Sequence, residues 1–138
     1  MDQKMNVLKR DEQALRNSND IVLARHKVRQ WATELRFSLV DQTKLVTAAS
    51  ELARNALEHG HGGAMTLESL TNGAKTGLRL VFEDQGPGIA NIEQALTDGY
   101  TSGSGLGLGL GGSKRLVNDF SIESEVGKGT KVTVVRWR

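Results

Sequence analysis

The clearest periodicity in the chain begins at Ile21, where Ile21, Ala24, Val28, Trp31 and Leu35 recur at intervals of three and four residues. That stripe predicts an amphipathic helix, with Asn19 or Asp20 as its N-cap. A second stripe, Leu45, Ala49, Leu52 and Ala56, predicts a helix that starts near Ser38 or Asp41 and stops at Gly60 as its C′ residue. Beyond Gly60 the apolar period shortens. Met65–Leu70 and Leu78–Glu83 read as two strands across the loop 71–77, and Leu78–Phe82 is apolar enough for a central strand. The pattern further predicts a short helix over Ile92–Thr97, a third helix over Gly112–Asp119, and a closing hairpin of Phe120–Glu125 with Thr130–Trp137. A short edge strand is expected over Met5–Lys9. The order β-α-α-β-β-loop-α-β-β implies an α+β two-layer sandwich with helices on one face of a mixed sheet.

Length and composition narrow the classes. The 138 residues suit a single domain, 1–138, with 1–18 as an N-terminal strand and loop. Eighteen Lys and Arg against sixteen Asp and Glu leave a net charge of +2, and only six residues are aromatic, so no basic-aromatic platform for nucleic acid is expected. Cysteine is absent, which removes disulfides, thiolate metal sites and cysteine nucleophiles and suits a reducing cytoplasm. No apolar run approaches the roughly 20 residues of a membrane-spanning helix, and the polar start from Met1 to Arg16 lacks a signal-peptide core. A cytoplasmic location is the expectation. Nine of the sixteen glycines fall between Gly86 and Gly112, a local excess that points to function rather than to low complexity.

Three clusters hold candidate chemistry. Glu51, Asn55 and His59 are spaced by four on the second helix, beside its core stripe. A carboxylate and a carboxamide on the margin of a core face suit a divalent cation and the orientation of a nucleophile. The same positions equally suit a solvated helix surface with His59 as a C-terminal dipole partner. Next, Glu83-Asp84-Gln85-Gly86-Pro87-Gly88 closes a strand with a carboxylate and glycines. Asp84 there can accept from an exocyclic amine while Gly86 and Gly88 let a flat ring approach the backbone. A plain Gly-Pro-Gly turn is the competing reading. Third, Thr101–Gly112 alternates glycine with leucine before Lys114 and Arg115. Successive free N–H groups suit an anion, and phosphate cradling by a ligand-ordered segment over 99–111 is the hypothesis. No G-x-x-x-x-G-K-[ST] is present. Gly107, Gly109 and Gly112 satisfy G-x-G-x-x-G, but no buried strand precedes them. The H-R-D and D-F-G signatures of eukaryotic-type kinases are also missing.

In order and spacing these clusters resemble the N, G1 and G2 boxes of the GHKL ATPase superfamily, carried by Glu51-Leu52-Ala53-Arg54-Asn55, Asp84-Gln85-Gly86-Pro87-Gly88 and Gly105-Leu106-Gly107-Leu108-Gly109. That superfamily includes gyrase-type ATPases, heat-shock-90 chaperones, histidine kinases and bacterial anti-sigma-factor serine kinases. The resemblance runs from about Asp20 to the C-terminus and is nearest to the small switch kinases of RsbT type, while Asn55-Ala56-Leu57-Glu58-His59 is similar to anti-sigma factors of RsbW type.

The resemblance implies the Bergerat fold, a mostly antiparallel sheet with helices on one face and a Gly-rich ATP lid. It implies ATP and Mg²⁺ as cofactors. Asp84 would recognise the adenine amine, with Thr130 assisting through water and Gly86 and Gly88 shaping the loop. Asn55 would ligate the metal. Gly105, Leu106, Gly107, Leu108 and Gly109 would hold the phosphates. Glu51 would orient or deprotonate a serine hydroxyl, and Lys114 or Arg115 would neutralise charge or simply be solvated. The implied activity is a protein serine/threonine kinase acting on a STAS-domain antagonist in a bacterial stress-response switch, with a sigma factor or a PP2C-type phosphatase as a further partner. The alternatives are an anti-sigma or phosphatase-activating binding module with nucleotide-dependent partner exchange, and a nucleotide-binding relic.

Overall fold

The computed structural model describes residues 5–96 and 110–138. Strands β1 (Asn6–Leu15), β2 (Gly63–Thr71), β3 (Thr76–Asp84), β4 (Asp119–Glu125) and β5 (Gly129–Trp137) form one sheet in the order β1-β2-β3-β5-β4. All four pairings are antiparallel. The mixed sheet expected from the sequence therefore has no parallel pair among the described residues. The two predicted hairpins are present, and β3 is the central strand.

Helices α1 (Ser18–Glu34) and α2 (Leu39–Glu58) cover one face of this sheet. Their stripes become the core as predicted: Ile21, Ala24, Val28 and Trp31 from α1, and Leu45, Ala49, Leu52 and Ala56 from α2, meet Leu78, Leu80 and Phe82 of β3 and Val132 and Val134 of β5. Alternate residues of β3 supply this face, as the two-residue period of a strand requires. Leu45 and Leu52 are 0% and 2% exposed, so truncating either to alanine costs about 2–5 kcal/mol.

Several boundaries differ from the sequence expectation. Asn17 caps α1 rather than Asn19 or Asp20, its Oδ1 accepting the Asp20 N–H at 3.0 Å. Asn17, Ser18, Asn19 and Asp20 are four consecutive cap-forming residues, and periodicity alone does not choose among them. Asp20 is instead buried, accepting from the Arg16 backbone N–H at 2.8 Å and from Arg16 Nε at 3.0 Å. Ser38 caps α2, accepting from the Asp41 N–H at 3.1 Å.

Strand β1 runs on to Leu15 instead of ending at Lys9. It is exposed on both faces through Glu12 and shifts register between Val7 and Lys9, so no clean alternation marks it. Long side chains fasten it to α1: Lys27 pairs with Asp11 at 3.1 Å, and Lys9 Nζ lies 4.5 Å from the Trp31 ring centroid. Helix α3 (Ile92–Ala95) is shorter than the predicted Ile92–Thr97, and Thr97 lies outside the described residues. Helix α4 (Leu110–Arg115) starts two residues before the predicted Gly112 and stops short of Asp119, which opens β4. Buried Leu110 sits in its first turn, and α4 packs on α2.

Candidate functional site

The C-terminal end of α2 and the C-terminal end of β3 converge on a narrow cleft lined by Leu52, Asn55, Ala56, His59, Phe82, Asp84, Ile89, Leu110, Thr130 and Val132. Asp84 is the last residue of β3 and pairs in register with Thr130 of β5. Asn55 and His59, one turn apart on α2, bring their side chains to the same cleft. Two of the three predicted boxes therefore meet in space. Glu51 continues the same helical stripe but does not line the cleft. It is half-buried and pairs with Arg54 at 3.2 Å. Gly105, Leu106, Gly107, Leu108 and Gly109, and the lid expected over 99–111 as far as residue 109, lie outside the described residues.

The electrostatics centre on Asp84. Burial against apolar neighbours pushes its carboxyl above the ordinary carboxylate value. The backbone N–H groups of Gly86 and Thr130 and the nearby rings of His59 and His61 pull the other way, without overcoming that burial. The Gly86 N–H donates to Asp84 Oδ1 at 3.0 Å. A buried carboxylate that prefers a donor and has no Lys or Arg paired to it among the described residues is a candidate recognition group.

Three glycines place that carboxylate. A Cβ on Gly60 would lie 2.2 Å from Asp84 Cγ, and one on Gly86 would lie 2.5 Å from Gly60 Cα. Gly88 adopts φ +78, and a Cβ there would lie 2.2 Å from the Glu125 carbonyl oxygen. The missing side chains of Gly86 and Gly88 thus make room for the protein's own backbone. Gly60, expected only to stop α2, follows the His59 C-cap and provides the flat surface against which Asp84 packs. Its position directly after the Asn55–His59 stripe was the available signal.

A second tie was missed in the sequence. Ser124 Oγ accepts the Ile89 N–H at 2.8 Å, donates to the Gly129 carbonyl at 3.0 Å, and lies 2.8 Å from Thr130 Oγ1. Ser124 has one proton, so with that proton on Gly129 the Thr130 hydroxyl donates to Ser124 and keeps its lone pairs for a ligand or water. The Gly127 N–H also donates to the Pro87 carbonyl at 2.8 Å. The loop after Asp84 is thereby fastened to the β4–β5 hairpin. Hairpin register, which pairs Ser124 with Thr130, was the signal that pointed to this contact.

The enclosed part of the cleft holds about 20 Å³, room for one water molecule, so a larger ligand requires its walls to separate. A wider groove of about 510 Å³ shares Asp84 and Thr130 but is otherwise bordered by Glu83, Glu123, Glu125, Lys128 and Lys131. Its carboxylates outnumber its lysines, a poor match for an anionic ligand, and no residue of α2 lines it. The narrow cleft, which joins two sequence clusters, is the better candidate. Among the described residues no group of three His, Cys, Asp or Glu side chains converges to hold a metal. Lys114 and Arg115 are exposed at the end of α4.

Comparison with known proteins agrees with this fold. Residues 40–138 match the family described as histidine kinase-, DNA gyrase B-, and HSP90-like ATPase. The serine/threonine-protein kinase RsbT of Bacillus subtilis is 44% identical over 86% of this chain and 89% of its own length. The anti-sigma F factor of Clostridium acetobutylicum is 34% identical over 86% of this chain and 85% of its own. A crystal structure of the RsbU and RsbW domains of Rv1364c from Mycobacterium tuberculosis superposes with a TM-score of 0.64 at 21% identity, covering 94% of this chain and 33% of that one, which bears on the fold alone. No helix among the described residues is long and apolar enough to cross a membrane. The chain belongs to the histidine kinase-, DNA gyrase B- and HSP90-like ATPase family, with RsbT and the anti-sigma F factors among its relatives.

Proposed function

We propose that this chain is a cytoplasmic, ATP- and Mg²⁺-dependent protein kinase that phosphorylates a serine or threonine on a STAS-domain antagonist in a bacterial partner-switching module. The observation that carries the reading is Asp84, a carboxylate held in an apolar cleft against Gly60 with no cation paired to it among the described residues. An exocyclic amine is the complement of such a group, which favours adenine over a base that offers a carbonyl there. Its kinase relative, 44% identical, supports the activity.

In this reading Asp84 binds the adenine amine and the Thr130 hydroxyl supports a bridging water. Gly105, Gly107 and Gly109 offer backbone N–H groups to the phosphates, with Leu106 and Leu108 between them. The Asn55 side-chain oxygen holds Mg²⁺, a hard-oxygen choice that fits the ion. The bound ion supplies charge neutralisation on the phosphates. Glu51, half-buried on the same stripe, orients the partner's hydroxyl and takes its proton as that oxygen bonds to the γ-phosphorus and the bond from phosphorus to the β–γ bridging oxygen breaks, releasing ADP. Anti-sigma F factors among the relatives favour a second partner, a sigma factor, and a PP2C-type phosphatase is the other. A module that only sequesters such a partner is the competing reading.

The test is intact-mass analysis of a STAS-domain protein encoded near this chain after incubation with wild type or Asn55→Ala, ATP and Mg²⁺. One phosphate gained with wild type and none with the variant is expected. Transfer by Asn55→Ala at the wild-type rate would overturn the Mg²⁺ role, and sigma-factor binding without any transfer would favour sequestration.

A further inference from the structure

We propose that His59 is a specificity-determining residue of this cleft, its Nε2 making a second side-chain hydrogen bond to the nucleotide base beside Asp84. This inference rests on the nucleotide reading of the cleft. His59 closes α2, and its backbone is fixed: its N–H donates to the Asn55 carbonyl at 2.9 Å, and the Gly60 N–H shares that acceptor at 3.1 Å. The ring is therefore delivered one turn beyond Asn55, on the cleft side of the helix.

Its Nε2 is buried and has no hydrogen-bond partner among the described residues. Two other buried side-chain atoms share that condition there, Ser113 Oγ and Arg136 Nε. Arg136 is otherwise well engaged, with Asp41 and with the Leu116 carbonyl. Ser113 lies on α4 one turn after Leu110, which faces His59 across the cleft. An unmade hydrogen bond on a buried ring nitrogen is costly to the fold. Simple packing needs would have been met by an apolar side chain at this position.

The other polar groups of the wall are Asn55, Asp84 and Thr130. Asp84 accepts from Gly86, and the Thr130 hydroxyl is tied to Ser124. The rest of the lining near the ring is apolar, including Leu52, Phe82, Ile89 and Leu110. A purine offers an amine beside ring nitrogens that accept. With the amine on Asp84, an imidazole N–H on the α2 wall complements one of those nitrogens. A pyrimidine amine reaches Asp84 equally well but presents a smaller ring to His59, so the pair would select purines with an exocyclic amine.

The test is ADP binding by calorimetry on wild type, His59→Phe, His59→Gln and Asp84→Asn, with a thermal melt of each free protein. 7-Deaza-ADP and 1-deaza-ADP serve as probes of the ring nitrogen. Expected are an affinity loss of about tenfold in His59→Phe, partial recovery in His59→Gln, and a His59→Phe melting temperature equal to or above wild type. One deaza analogue should bind wild type and His59→Phe alike. If His59→Phe binds ADP like wild type while Asp84→Asn does not, this inference falls and the nucleotide reading stands. If wild type fails to bind ADP, the reading of the cleft itself falls. A His59→Phe protein that melts lower, with no recovery in His59→Gln, would make His59 structural and overturn the proposal.

Discussion

Asp41 and Asp84 are both partly or wholly buried aspartates in contact with the sheet, yet their surroundings oppose each other. Asp41, in the first turn of α2, accepts from Arg136 Nη2 at 2.6 Å, and this contact holds its carboxyl below the ordinary value of 3.8. Arg136 also donates to the Leu116 carbonyl at 3.0 Å, so one guanidinium joins β5, α2 and the segment after α4. Asp84, at the other end of the same helix–sheet layer, has backbone donors but no cation paired to it among the described residues, and burial raises its carboxyl. A fold seeking only stability would treat both as it treats Asp41. The difference marks which carboxylate holds the architecture together and which is kept for a ligand.

The largest expected effect separates these roles at Asp84. Asp84→Asn should lower ADP affinity by about 100-fold, the scale of a hydrogen bond to a charged group. The same substitution removes a charge whose burial is unfavourable, so the melting temperature of the free protein should stay equal or rise. Calorimetry and a thermal melt on one preparation test both halves. A variant that melts much lower and binds ADP normally would place Asp84 with Asp41 as a structural group.

Gly60→Ala comes next, because it disturbs the recognition carboxylate without touching its chemistry. The added methyl carbon would lie 2.2 Å from Asp84 Cγ. Overpacking of this kind costs about 1–3 kcal/mol, and ADP affinity should fall with it. Unchanged binding would show that the placement of Asp84 tolerates a shift.

The smallest and opposite effect belongs to Arg136→Met. It should lower the melting temperature and leave ADP affinity within about twofold. The pH dependence follows from the depressed carboxyl of Asp41. Its contribution is complete above 3.8 and is lost as the pH falls through the lowered folded value. Wild type should therefore lose an acid-side increment of stability that Arg136→Met lacks. Melts across the acid range in the two proteins test this.

Much of this arrangement was legible in the sequence. The two helical stripes became the core because three- and four-residue spacing and burial are one constraint seen twice. The Asn55 and Asp84 clusters meet because α2 and β3 end at the same edge of the two layers. Other features left no local trace. β1 is polar on both faces from Lys9 to Gln13, so its length depends on pairing with β2 rather than on alternation. Gly60 and Gly86 touch although 26 positions apart in sequence, a contact no window on the chain reports. Leu110 of α4 packs into the cleft, an anchor that offsets the poor helix propensity of its two following glycines.

The most direct measurement is the titration of the aspartate carboxyl carbons by NMR, with and without ADP. Asp84 is expected to titrate above the ordinary 3.8, Asp41 below it, and only the Asp84 resonance should respond strongly to ADP. An Asp84 carboxyl that titrates at or below 3.8 and ignores ADP would contradict its role as the buried, unpaired group that reads the base.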